Sequence, residues 1–241
     1  MEEEVKTEKA NSYRTPLVVT FAEAATLDHT ELGAKAANLA RLASVGFPVP
    51  PGFAVTTTAE RHQREASAKI LEASAALGAE QFAVRSSGTA EDLEGASFAG
   101  QYETFLDVRI DDLPAAVGRV FDSACASGVS AYRDARTELT GKTAPSMAVL
   151  VQVMVTADSA AVAFTANPVT GERGEVVITA VRGLGERLVS GDEWVVRGDG
   201  ASCRRESEGA ITAEQAVKIA ELARGRALRL SAGHRVGDLR R

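Results

Sequence analysis

The run MAVLVQVMV at 147–155 limits the possible folds of this chain more than any other stretch. Only Gln152 interrupts its apolar character, and it does not alternate as a strand with one wet face does. At nine residues it falls well short of the roughly 20 apolar residues that cross a bilayer. It predicts a strand covered on both faces. A chain of 241 residues, 45% of them hydrophobic, is long enough to supply that cover from one large core or two smaller ones.

The rest of the chain mixes helical and strand signals. A short strand is expected at 17–21, then a helix at 33–44 with Leu32, Ala36, Leu39 and Ala43 along one side and Gly46 and Pro48 marking its end. A β-prone run at 53–57 precedes a helix at 59–77. Strands are expected at 81–85 and 102–108, and a helix from Asp111 or Asp112, with Pro114 in its first turn, to about 136. Beyond the apolar run, strands at 160–166 and 175–181 flank the Pro/Gly turn ANPVTGERG. A strand at 193–197 and a helix at 212–230 follow, the helix opened by the capping-box pattern of Thr212 and Gln215. This order predicts an α+β protein of two lobes rather than a doubly wound parallel sheet. The division expected is a flexible lead-in at 1–16, a first lobe at 17–145 and a second at 146–241.

Composition narrows the function. The net charge of −6 argues against nucleic acid as a partner, because phosphate-backbone binding needs clustered Lys and Arg. The six arginines between 224 and 241 read as a solvated helix face. Cys125 and Cys203 lie far apart, outside any CxxC or His/Cys cluster, which suggests neither a zinc site nor a disulfide framework. The polar start MEEEVKTEKANSYR lacks the apolar stretch of a signal peptide, so a soluble cytoplasmic protein without a membrane partner is expected. His29, His62 and His234 are isolated, and no G-x-S-x-G or H-E-x-x-H occurs, which removes serine-hydrolase and zinc-protease readings.

Two features raise the possibility of phosphate binding. Lys35 follows Gly33 in the first turn of a predicted helix, where free N–H groups and the helix dipole favour an anion, though a plain surface lysine has the same pattern. Arg85 ends a predicted strand and leads into Ser86, Ser87, Gly88 and Thr89, then Gly95, Ala96, Ser97 and Gly100. Small hydroxylated residues let amides wrap phosphate oxygens while a guanidinium donates in two prongs; a surface loop would look alike. Gln152 either satisfies neighbouring backbone or reads a ligand's polar edge. Glu186, after the turn Gly183-Leu184-Gly185, either closes a turn or approaches a ribose or metal.

Three blocks, LGAKAANLARLASVGFPVPPGFAVTT at 32–57, FAVRSSGTAEDLEGASFAGQYETFLDV at 82–108, and MAVLVQVMV with AVAFTANPVTGERGEVVITAVRGLGERLVSG within 147–191, together resemble the ATP-grasp nucleotide-binding domain of the phosphoenolpyruvate synthase and pyruvate phosphate dikinase family. Rifampicin phosphotransferases share that domain. The resemblance implies a two-lobed ATP-grasp fold with mixed or antiparallel sheets and an ATP site. Lys35 and Arg85 would contact phosphates, and the loop of Ser97, Gly100 and Gln101 would close over them. Gln152, Met154 and Val155 would line the adenine pocket, with Glu186 also at the site. It further implies Mg²⁺ as cofactor and transfer of a phosphoryl group from ATP to a histidine on a separate domain, of the same protein or of a second chain, and then to pyruvate or a drug hydroxyl.

Departures from the family pattern accompany the matches. Gly33-Ala34-Lys35-Ala36 stands where relatives usually have Gly-Gly-Lys-Gly, and the helical insertion normally found between Thr58 and Phe82 is shortened. Thr179 replaces a frequent Glu and Arg182 a frequent aromatic residue. The D-x-E and Q-x-R-P segments that bind Mg²⁺ and the γ-phosphate in the family are not found after Thr212, so the domain is expected to be incomplete at its C-terminal end with no metal ligands of its own. These departures leave a second reading, a nucleotide-binding pseudoenzyme or regulatory fragment without turnover.

Overall fold

The computed structural model describes residues 15–89, 104–123, 146–185, 191–198, 200–205 and 209–237. The chain divides into two compact units, Met1–Met154 and Val155–Arg241. Both are α+β, and every strand pairing among the described residues is antiparallel. No helix among them is long and apolar enough to cross a membrane.

The first unit is a five-stranded sheet in the order β1-β2-β5-β3-β4, formed by Val18–Thr20, Gly52–Val55, Met147–Val153, Gln81–Gly88 and Thr104–Arg109 respectively. The apolar run occupies the central position as β5, and Met147 to Val151 are all buried. Its alternate side chains serve two cores. Met147, Val149 and Val151 join Phe53, Val55, Phe82 and Val84 beneath α3 (Gln63–Leu77) and α4 (113–123), which contribute Ala66, Ile70, Leu113, Val117, Val120 and Phe121. Leu150 joins Val19 and Ala54 on the opposite face, beneath α1 (Phe21–Ala24) and α2 (His29–Ser44), through Phe21, Leu32, Ala36 and Ala40. The expectation of cover on both faces is thus met, but within the first unit. The sequence division at 145/146 had assigned this strand to the second lobe, and the contacts divide the chain after Met154 instead. A run covered on both faces carries no mark of which neighbouring strands it will join.

Helix α2 begins earlier than the spacing predicted, at His29. Asp28 and Glu31 form a capping box there, with the Asp28 carboxylate accepting from the Thr30 N–H at 2.9 Å. Gly33 then breaks the helix with φ 67° and ψ 167°, so Lys35 lies in the first turn of the segment after the kink. Residues 57–61 form a 3₁₀ turn, and α3 starts at Gln63 rather than 59.

The second unit is a four-stranded meander, β6 (Ser159–Phe164), β7 (Glu175–Arg182), β8 (Asp192–Arg197) and β9 (Gly200–Arg205), in sequence order. The last of these was not expected from the sequence. Helix α5 (Ala213–Gly237) packs Ala216 and Ala220 against Val176, Ile178, Trp194 and Val196. Its predicted capping box forms: Thr212 N–H donates to Gln215 Oε1 at 2.8 Å and Gln215 N–H to Thr212 Oγ1 at 3.3 Å. The turn after β6 is held by Asn167, whose Oδ1 accepts from the Val169 N–H at 2.9 Å and whose Nδ2 donates to Glu175 Oε2 at 2.6 Å. Arg197 Nε donates to the other oxygen of Glu175 at 2.7 Å, so that buried carboxylate is paired.

Candidate functional site

In an antiparallel pair, residues opposite each other point to the same face. Arg85 on β3 is opposite Leu150 on β5, which is opposite Ala54 on β2. Leu150 and Ala54 belong to the core beneath α2, so Arg85 projects from the α2 side of the sheet. By the same register Ala83 and Gln152 share that side, as do Ser87 and Ala148, while Thr104 stands opposite Arg85 on β4. Arg85 is exposed although Phe82, Val84 and Ser86 on the reverse side are buried. Among the described residues its guanidinium makes no hydrogen bond or ion pair.

Lys35 reaches this side on α2 and is also exposed. Its helix is tied to β3 through Ser87: Ser87 Oγ accepts from the Ala36 N–H at 3.0 Å and donates to the Leu32 carbonyl at 2.8 Å. Gly33 presses directly on the same strand. A Cβ built there would lie 2.0 Å from the Ser87 carbonyl oxygen, so the kink requires glycine for space as well as for its positive φ. Lys35 and Arg85, 50 positions apart in sequence, therefore occupy one side of one sheet.

Gln152 is 7% exposed, and its Nε2 donates to the Pro50 carbonyl at 3.2 Å. The backbone-satisfying reading of this amide is thus realised for one donor, while its Oε1 makes no hydrogen bond among the described residues. Gly52 opposite it leaves the room it needs, since a Cβ there would come within 3.0 Å of Gln152 Cα and Cγ. The chain stays paired on both sides just beyond Gln152: Val153 N–H donates to Pro51 O at 2.8 Å and Met154 N–H to Gln81 O at 2.9 Å. Met154 is half-buried and ends the first unit; Val155, 52% exposed, begins the second. Ser97, Gly100, Gln101 and Glu186 lie outside the described residues. Among the described residues no group of three His, Cys, Asp or Glu gathers as a metal site would require.

The sequence reading missed Ser87 as a fastening point and Gly33 as a kink. An available signal for the kink was the Asp28-x-x-Glu31 capping box, which starts a helix before Gly33 rather than after it.

Residues 60–226 match the AMP/ATP-binding domain of pyruvate phosphate dikinase. The chain belongs to this family. The matched span includes Arg85, Gln152, Met154 and Val155, while Lys35 precedes it. The prodigiosin-synthesising transferase PigC of Serratia marcescens is 37% identical over 204 residues, covering 73% of this chain and 22% of that protein. The uncharacterised phosphotransferase YvkC of Bacillus subtilis is 34% identical over 186 residues, covering 66% of this chain and 22% of that protein. The phosphoenolpyruvate synthase of Pyrococcus furiosus is 46% identical over 119 residues, 47% of this chain and 14% of that enzyme. The chain thus spans about a fifth or less of the length of these relatives. It is an ATP-binding domain of the kind found in ATP-dependent phosphotransferases related to phosphoenolpyruvate synthase.

Proposed function

We propose that this domain binds ATP on the α2 side of the first unit's sheet, with Lys35 and Arg85 against the phosphates and Gln152, Met154 and Val155 near the base. In the same proposal it serves an enzyme that passes a phosphoryl group from ATP to a histidine on a separate domain, and then to pyruvate or another acceptor. The observation that carries the reading is the convergence of three separated stretches: α2, β3 and the end of β5 bring an exposed ammonium, an exposed guanidinium and a largely buried amide to one side of one sheet. A triphosphate carries several negative charges that cations from separate elements can share, and a guanidinium matches two phosphate oxygens at once.

The contribution of these residues to transfer is positioning and charge neutralisation, which dominate phosphoryl-transfer catalysis. Lys35 and Arg85 would withdraw charge from the phosphate oxygens while holding the chain of phosphates at a fixed angle to the base. Mg²⁺ normally rests on one or two carboxylates plus phosphate oxygens. Among the described residues no group of three His, Cys, Asp or Glu gathers; Mg²⁺, when bound with ATP, would add to the neutralisation of phosphate charge.

Titration calorimetry of the full chain with ATP tests the reading. Lys35→Ala and Arg85→Ala are each expected to weaken binding by about tenfold or more, the loss typical of a hydrogen bond to a charged group. Unchanged affinity in both variants would remove the site.

A further inference from the structure

We propose that Ser87 is a positioning residue whose hydroxyl sets the place of Lys35 relative to Arg85. The inference rests on the ATP reading above and adds to it the device that aligns the two cations. Ser87 is fully buried, and its single hydroxyl serves both sides of the break in α2. It donates to the carbonyl of Leu32, the residue before Gly33, and accepts from the N–H of Ala36, the residue after Lys35. Because the hydroxyl proton is committed to Leu32, only a lone pair faces Ala36, and the bond directions are fixed as a chain from helix segment to helix segment.

The kink itself leaves backbone groups that a continuous helix would pair internally, and burial makes an unpaired one costly. Ser87 answers two of them from β3, two residues beyond Arg85 and on the same side of the sheet. Gly33 completes the seat, since its Cα approaches so closely that an added Cβ would lie 2.6 Å from Ser87 Oγ. Lys35 stands between the two fastened residues, Leu32 and Ala36. Its backbone therefore cannot shift along the sheet without breaking a bond to the strand that carries Arg85.

A double-mutant cycle on the full chain tests this, reading ATP affinity by calorimetry and folding by thermal melt. Ser87→Ala is expected to weaken ATP binding by roughly three- to tenfold, the range for one lost hydrogen-bonded contact. In the Lys35→Ala background the same substitution is expected to cost no further affinity, while in the Arg85→Ala background its full effect should persist. A lower melting temperature is expected in either case; a merely structural role would add its effect on affinity equally in all three backgrounds, which would overturn the inference. Lys35→Ala alone without effect on affinity would also overturn this inference, whereas Lys35→Ala and Arg85→Ala both without effect would overturn the ATP reading itself. Should Ser87→Ala not fold, Ser87→Cys, which puts a somewhat larger sulfur in place of the oxygen and weakens both bonds, goes through the same cycle with the same two deciding outcomes.

Discussion

In the second unit each strand pairs with its neighbour in sequence, β6 to β7 to β8 to β9, and one helix covers one face. In the first, β5 arrives from beyond residue 146 to separate β2 from β3, and helices cover both faces. The two constructions solve different problems. A meander of short hairpins forms with little loop-closure cost but juxtaposes only nearby residues. Inserting a late strand between two early ones requires a long closure, and in return it sets Gln152 beside Ala83, on the side of the sheet that also carries Arg85. Arg85 and the helix that carries Lys35 belong to the unit with the non-local sheet; the local one is held by its own turn contacts.

The largest expected effects come from emptying each core in turn. Phe82→Ala should destabilise the first unit by about 3–5 kcal/mol and Ile178→Ala the second by about 2–5 kcal/mol. Trp194 is the only tryptophan and lies in the second core, so its emission follows that unit while circular dichroism follows both. In urea, Ile178→Ala is expected to move the emission midpoint and Phe82→Ala to leave it in place. If Phe82→Ala shifts both midpoints together, the two units unfold as one and the contrast loses its energetic meaning.

Arg224→Ala is the intermediate case. From α5 this side chain donates to the carbonyls of Gly198, Gly174 and Val196, clasping the ends of two hairpins. Its loss is expected to cost about 1–2 kcal/mol, because the freed carbonyls are open to water in part. The emission midpoint should fall while ATP affinity stays level.

The smallest effects distinguish the helix caps. Asp28→Ala at α2 and Thr212→Ala at α5 should each cost about 1 kcal/mol at neutral pH. The backbone N–H of Thr30, with a small contribution from His29, holds the Asp28 carboxyl below its ordinary value of 3.8. A depressed carboxyl stabilises the fold above that ordinary value, and the benefit disappears as pH falls through the folded-state value. The Asp28→Ala penalty is therefore expected to shrink below about pH 4, while the uncharged Thr212 cap keeps its penalty throughout. Melting temperatures of both variants and the parent between pH 7 and 3 check this.

The sequence made the elements more legible than their assembly. The run at 147–155 announced cover on both faces, which holds for 147–151 and is lost by Val155, and the turn around Asn167 and the Thr212 cap were readable because each is local. Strand β9 was missed because GASCRR carries neither alternation nor β-branched residues. The allegiance of β5 to the first unit was missed because pairing partners a hundred residues away leave no periodic trace. At the site, residue chemistry marked Lys35 and Arg85, but the bond from Ser87 to Ala36 spans 51 positions and had no signature in either segment.

Strand β3 reads as two interleaved messages: Phe82, Val84 and Ser86 face one way, Ala83, Arg85 and Ser87 the other. An inserted or deleted residue before Phe82 that shifted the pairing by one place would drive a guanidinium into the oily interior and strand a phenyl ring in water. Reading-frame-preserving indels here should thus be intolerable in evolution even where surrounding loops drift freely, because folding and the proposed ligand contact share a single parity.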